Sequence, residues 1–363
     1  MGNKNSTPSF SPWPPRVAWL LCCATFPLLW VGGLVTTTDA GMAVPDWPST
    51  YGYNLFLYPW NAWLYGPWDL FIEHGHRLLA SGVGMVTILL AVLLYRCDDR
   101  RWMRRLGVAA VLLVIAQGVL GGLRVTENAR FLAMIHGCTG PLFFALTVFL
   151  AVCSTPRWRR NSSPGAEITA EHHAAGRLAR LAIALPAVVY FQLTLGAAVR
   201  HVSASSTFAS FAMHIKLHLL GAATVAMAVV WFYLRSRGEP DRPAAVKLVA
   251  RRMVILLLFQ VYLGAATWQT KYGLPRWAKT IAPATMEAHR VGGWWATHRV
   301  TFHGAGGSLL LGLSTANAAV CWGRRRALLA SGAAESSRGQ PAPATQSETI
   351  PIPSPSHPPE ASP

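Results

Sequence analysis

The chain has 363 residues, 52% of them hydrophobic and only 13% charged. Soluble domains carry about a quarter charged residues, so this composition excludes an ordinary soluble globule and points to a polytopic membrane protein. The formal net charge of +17 does not imply a nucleic-acid partner, because no basic face interleaved with aromatic residues occurs.

In chain order, residues 1–15 are polar, rich in Ser and Pro, and read as a disordered N-terminus. Met1-Gly2-Asn3-Lys4-Asn5-Ser6 formally fits a myristoylation pattern, which on a multi-span chain is best explained as coincidence. A first span is expected over 17–37. The long connector 38–72 contains Pro45-Asp46-Trp47-Pro48 and several more tryptophans but no Lys or Arg, which places it outside. Its aromatics suit the headgroup level and equally suit a lid over a site. Further spans are expected over 73–96, 106–123, 131–152, 178–199, 211–234, 253–268 and 298–322.

The fold class that follows is an all-α membrane protein, eight transmembrane helices arranged as two pseudo-symmetric four-helix bundles. The N-terminal half covers 16–153, an inside linker 154–175, and the C-terminal half 176–323. Residues 324–363 read as a disordered cytoplasmic tail. Arginines cluster in alternate connectors, at Arg96 to Arg105, Arg157 to Arg160, Arg235 to Arg252 and Arg324 to Arg326. By the positive-inside rule both termini are cytoplasmic and the protein sits in a bacterial plasma membrane, multi-pass. Six cysteines lie in apolar runs or at their basic ends, without zinc spacing, and read as small buried hydrophobes.

Three odd-numbered spans end in a shared Q-x-x-L-G-[GA] pattern: Gln117 to Gly122, Gln192 to Ala197 and Gln260 to Ala265. Small residues there let helices approach closely. The even-numbered spans each carry a histidine near the outer end, His76, His136, His218 and His303. One such histidine alone is an ordinary interfacial residue. Four at matched positions of a repeat point to axial ligation of haem iron, His76 with His136 and His218 with His303, since two imidazoles on facing helices can clamp one haem. Structural zinc fits less well, with the histidines on separate helices and no sulfur partner.

His214, one turn before His218, is the alternative ligand, and His298 competes with His303. His74 faces elsewhere than His76, His172 and His173 lie in the linker, and His201 and His289 lie in outer loops. Arg77 suits a haem propionate. Glu73, one turn before His76, has three readings: a proton relay, a partner orienting His76 or an arginine, or an acid at a helix N-terminus.

Gly41-Met42-Ala43-Val44-Pro45-Asp46-Trp47-Pro48, Glu73-x-x-His76-Arg77, Gln117-Gly118-x-Leu120-Gly121-Gly122 and Gln192-Leu193-x-Leu195-Gly196-Ala197-x-Val199-Arg200-His201 resemble the haem A synthase family, over about residues 17–322. The resemblance implies an eight-helix enzyme, an oxidoreductase that converts the C8 methyl of haem O to a formyl group. It implies His76 and His136 flanking substrate haem O, Glu73 near the methyl, and His218 and His303 ligating haem b. Three departures stand out: Ala43-Val44 where many members carry a loop cysteine, Leu219 where an arginine often follows the ligand, and Thr38-Asp39-Ala40-Gly41 in place of T-G-S-G. Haem O synthase, oxidase assembly factors, the lipid bilayer and a second copy of the chain are the expected partners. A dihaem b-type electron carrier and a haem transporter or chaperone are the competing functions.

Overall fold

The computed structural model describes residues 11–163, 166–202, 206–238, 240–273 and 293–338. The myristoylation-like start, His289 and the tail beyond 338 lie outside the described residues.

Each expected apolar run is helical, and most helices extend past it by a turn or more. The long helices are α1 (Trp13–Thr37), α3 (Trp68–Cys97), α4 (Arg101–Thr126), α5 (Arg130–Ser154), α7 (Ala170–Arg200), α8 (Phe208–Arg237), α9 (Ala244–Tyr272) and α10 (Trp294–Arg338). Two short helices lie between them, α2 (Trp60–Leu64) in the first connector and α6 (Pro156–Ser162) in the linker. At 1.5 Å per residue, the 25 residues of α1 exceed the ~30 Å hydrocarbon core of a bilayer. Among the described residues seven helices are long and apolar enough to cross a membrane: α1, α3, α4, α5, α7, α8 and α10. The chain is a multi-pass membrane protein.

Local sequence sets the ends. Prolines stand at the first positions of α1, where a missing N–H costs nothing. At its other end Thr36, Thr37 and Thr38 donate their hydroxyls to the carbonyls of Gly32, Gly33 and Leu34, at 3.1, 2.7 and 2.9 Å. Those carbonyls belong to the last turn, which has too few backbone partners of its own. Thr169 caps α7 in a reciprocal box with His172. His172 is therefore buried at a helix start and not solvated as a linker residue would be.

Two expected boundaries move. The tail does not begin at 324, because α10 continues unbroken to Arg338, with Arg324 bonded to Glu171 of α7 at 2.6 Å. At the other end α1 begins at Trp13, inside the stretch expected to be disordered.

Helix neighbours follow chain order with a few exceptions. α1 packs on α3 and α5, and α4 packs on the same two. α7 packs on α8 and α10, and α9 packs on the same two. Between these groups α10 contacts α1 and α5, and α5 contacts α7. Buried apolar side chains fill two clusters. One is built around Leu21, Leu90, Met103 and Leu150, the other around Leu185, Phe232, Met253 and Leu311. Side chains on the lipid side, such as Leu112, Leu220 and Leu258, stay exposed, as a bilayer solvent permits.

Candidate functional site

The four histidines share one local environment. A Cβ added to Gly32 of α1 would lie 2.9 Å from Cε1 of His76 on α3. The corresponding distances are 3.2 Å from Gly121 of α4 to His136 on α5, 3.1 Å from Gly196 of α7 to His218 on α8, and 3.2 Å from Gly264 of α9 to His303 on α10. Each imidazole therefore rests edge-on against a helix backbone that only glycine leaves accessible. Gly121, Gly196 and Gly264 are the glycines of the Q-x-x-L-G repeats. The fourth cradle was missed in sequence because α1 reads Leu28-Leu29-Trp30-Val31-Gly32, with Leu28 where the others have Gln.

The glutamines of the repeat hold the histidine helices from below. Gln192 donates from Nε2 to the His218 carbonyl at 2.9 Å and lies 3.1 Å from His218 Nδ1. Gln117 reaches the His136 carbonyl at 3.4 Å, and Gln260 lies against Gly306 of α10.

His218 and His303 face each other, with ring centroids 6.3 Å apart and planes at 84°. Two imidazoles on opposite sides of one metal, each with its nitrogen about 2 Å from it, put their centroids roughly 6 Å apart. The donor type, the separation and the glycine cradles fit axial ligation of a haem iron. His214 instead bonds its own turn, Nδ1 to the Ser210 carbonyl at 2.8 Å. His298 is buried in an aromatic stack with Trp30, Trp294 and Phe302. Of the candidate pairs, it is His218 and His303 that meet.

Near the N-terminal end of α3, Glu73 and Arg77 form a buried unit with the first connector. Glu73 accepts from the Val44 N–H at 2.9 Å and from Arg77 Nη2 at 2.9 Å. Arg77 also donates to the carbonyls of Asp46, Ser49 and Val44, at 2.7, 2.9 and 2.9 Å. Both terminal nitrogens of Arg77 are thus engaged by the connector and Glu73. The fork geometry that suits carboxylates here gathers backbone carbonyls. His74, turned away from His76, is buried against Tyr58 and Trp63 and bonds Thr50 Oγ1 at 3.0 Å.

Asp46 locks the connector from within, accepting from Ser49 Oγ and from the Tyr51 and Gly52 N–H groups. Burial works to raise its carboxyl, but these hydrogen bonds outweigh it and hold the group below the usual aspartate range. Trp47 lies so close over α4 that a Cβ on Gly122 would meet its indole at 2.3 Å. The two adjacent glycines of that repeat therefore do different work, Gly121 for His136 and Gly122 for Trp47.

Two arginines that sequence reasoning treated only as the ends of repeats also lie here. Arg124 donates from Nη2 to the Gly41 carbonyl at 3.0 Å. Arg200 donates from Nη2 to the Gly33 carbonyl at 3.1 Å and to Thr37 at 2.7 Å.

Comparison with known proteins agrees with this geometry. Residues 68–214 match the COX15-CtaA family model, described as a cytochrome oxidase assembly protein. Curated relatives carry the name heme A synthase. That of Shewanella oneidensis is 27% identical over 203 residues, 50% of this chain and 56% of the relative. That of Shouchella clausii is 34% identical over 122 residues, 33% and 38% of the two chains. That of Alkalihalophilus pseudofirmus is 27% identical over 190 residues, 50% and 57%. The matched stretches thus span about half or less of the relatives' length. The family-model match contains His76, His136 with its cradle at Gly121, the Glu73–Arg77 unit and Gly196. The chain is thus similar to this family over residues 68–214, and over about half of its length to relatives named heme A synthase.

Proposed function

We propose that this protein oxidises the C8 methyl of haem O to a formyl group, giving haem A for a terminal oxidase. The observation that carries the reading is the set of four glycine-cradled histidines at one end of the helices, two of them facing each other at 6.3 Å.

In this reading His218 and His303 hold haem b, and His76 and His136 flank the substrate haem O. When bound, haem b supplies one-electron redox chemistry beside the substrate site. The protein's own residues position and enclose. Gln192 fixes the His218 ring and the carbonyl of its turn. Glu73, held by Val44 and Arg77, lies one turn from His76, where a carboxylate can take a proton released from the substrate methyl. The same carboxylate ties down the connector that carries Trp47, so the acid and the cover over the site form one unit.

Eight spans complete the architecture. The Met253 to Trp268 run of α9 carries no charged residue, which supports reading it as a span beside the other seven. The neighbour pattern, α1, α3, α4 and α5 on one side and α7, α8, α9 and α10 on the other, supports two related four-helix bundles. The arginine-rich connectors put both termini in the cytoplasm and the histidine end outside. Haem O synthase and oxidase assembly factors are the partners this chemistry needs for delivery and removal.

The test is mass analysis of haem extracted from membranes that make haem O but no haem A, with and without this chain. Haem A, or its alcohol precursor, appearing only with the chain establishes the reaction. Unchanged haem O together with a bis-histidine b-type spectrum refutes it in favour of an electron carrier, for which the same four cradles would serve.

A further inference from the structure

Positive charge belongs at the cytoplasmic ends of membrane helices. Arg124, Arg200 and Lys271 close α4, α7 and α9 at the opposite end, where the histidines lie. None of the three forms an ion pair among the described residues. Glu73 and Asp39 lie within Coulombic range of Arg124, but Glu73 is committed to Arg77 and Val44. His201, the residue capping α7, registers the excess. Its imidazole is pushed down to about 4, by burial first and then by Arg200, Arg124, Lys271 and Arg130. A partly buried group of cations with no carboxylate bonded to it is costly unless an anion completes it.

Each arginine is anchored through one terminal nitrogen only. Arg124 uses Nη2 on Gly41, and Arg200 uses Nη2 on Gly33 and Thr37. Nη1 and Nε of both have no hydrogen-bond partner among the described residues. Nη1 of Arg200 comes within 4.0 Å of the Cβ position of Gly304, the residue after His303. Arg124 lies within Coulombic range of both His76 and His136. Lys271 stands within the same range of Arg200. Besides Arg77, whose terminal nitrogens are both engaged, there is thus one anchored guanidinium beside each histidine pair.

We infer that these side chains form a carboxylate-binding collar, Arg124 for a porphyrin propionate at the His76–His136 site and Arg200 with Lys271 for one at the His218–His303 site. The inference rests on the haem reading above and names the residues that would fix the in-plane rotation of each macrocycle. A porphyrin held by axial bonds alone can turn about them, whereas one pinned at a propionate presents a single edge to the protein. That rotational choice decides which methyl group meets Glu73.

The experiment compares iron protoporphyrin IX with its dimethyl ester, titrated into the purified full-length protein in detergent after expression under haem depletion. Soret absorbance reads axial ligation for both probes. The wild-type protein is expected to bind the diacid at least tenfold more tightly than the ester, the scale of one charge-assisted hydrogen bond. Arg200→Gln and Arg124→Gln should each narrow that preference while binding the ester as the wild type does. Equal wild-type affinity for diacid and ester overturns the collar and leaves the haem reading intact. Binding of neither probe overturns the haem reading itself. The wild-type comparison decides the matter even if a variant fails to insert, and Arg200→Lys, which keeps the charge but not the fork, should fall between wild type and Gln.

Discussion

The sharpest consequence of the site geometry concerns Gly32. An alanine there would put its Cβ 2.9 Å from His76 Cε1, whereas carbon atoms in contact prefer about 3.5–4.0 Å. The imidazole must therefore retreat by about 0.6 Å or more, or the helices must part. Overpacking of this kind costs about 1–3 kcal/mol, partly offset by alanine's advantage of up to about 1 kcal/mol within a helix. The protein should still insert and fold. Catalysis should suffer more, since a displacement of about 1 Å at a reacting group costs on the order of a hundredfold. We expect Gly32→Ala to lower haem A formation tenfold to a hundredfold while the haem b spectrum, which depends on His218 and His303, is unchanged. Gly118→Ala is the control: it lies in a repeat motif, but its added Cβ meets nothing within 4 Å. The assay is haem A per unit of inserted protein, by extraction and chromatography. Wild-type output from Gly32→Ala, or equal loss from Gly118→Ala, would refute the cradle argument.

Four further outcomes follow from the same geometry. Glu73→Ala should retain haem b and lose haem A formation, and unchanged haem A output removes Glu73 from the chemistry. His303→Ala should abolish the haem b signal in protein that still inserts, whereas His214→Ala should leave it intact; the reverse pattern in difference spectra would overturn the pairing at 6.3 Å. Arg77→Lys should loosen the first connector, because one ammonium cannot replace donors to three carbonyls and a carboxylate, and limited proteolysis between Asp46 and Trp60 reads the change. The last concerns pH. Hydrogen bonding depresses the folded-state Asp46 carboxyl below its ordinary value of 3.8, so its anchoring is complete above that value and is lost only as pH falls through the lower folded one. Tryptophan emission from the connector should stay constant from pH 7 to 5 in wild type, and a transition in that range assigned to Asp46 would contradict the sign.

How much of this was legible in the sequence depends on whether a feature is periodic. The helices and the four histidines were, because apolar length and repeated spacing are local properties of the chain. The contrast between His218 and His214 was not, since both lie on one face of α8 and only Gly196, Gln192 and His303, from two other helices, set them apart. The cradle at Gly32 escaped because Leu28 hides the repeat, although the glycine stands four residues on, as in the other three. The partners of Arg77 were hidden for a different reason. A guanidinium beside a presumed ligand suits a propionate in isolation, but a connector without Lys or Arg must satisfy its turning carbonyls somewhere, and Arg77 is the donor at hand. In the proposed collar the anion-binding work falls to cations whose own anchors are lighter. Arg124 and Arg200 each rest on the carbonyl of a glycine near the end of α1, and those contacts span α1, α4 and α7. A change at Gly33 or Gly41 that moved either carbonyl would therefore shift a cation beside a histidine pair without touching a histidine. At Gly41 the margin is smallest, because any Cβ there would overlap the Arg124 guanidinium itself at 1.7 Å. The glycines of the first span and its connector thus set the site as firmly as the histidines do, for a reason that only the packed helices reveal.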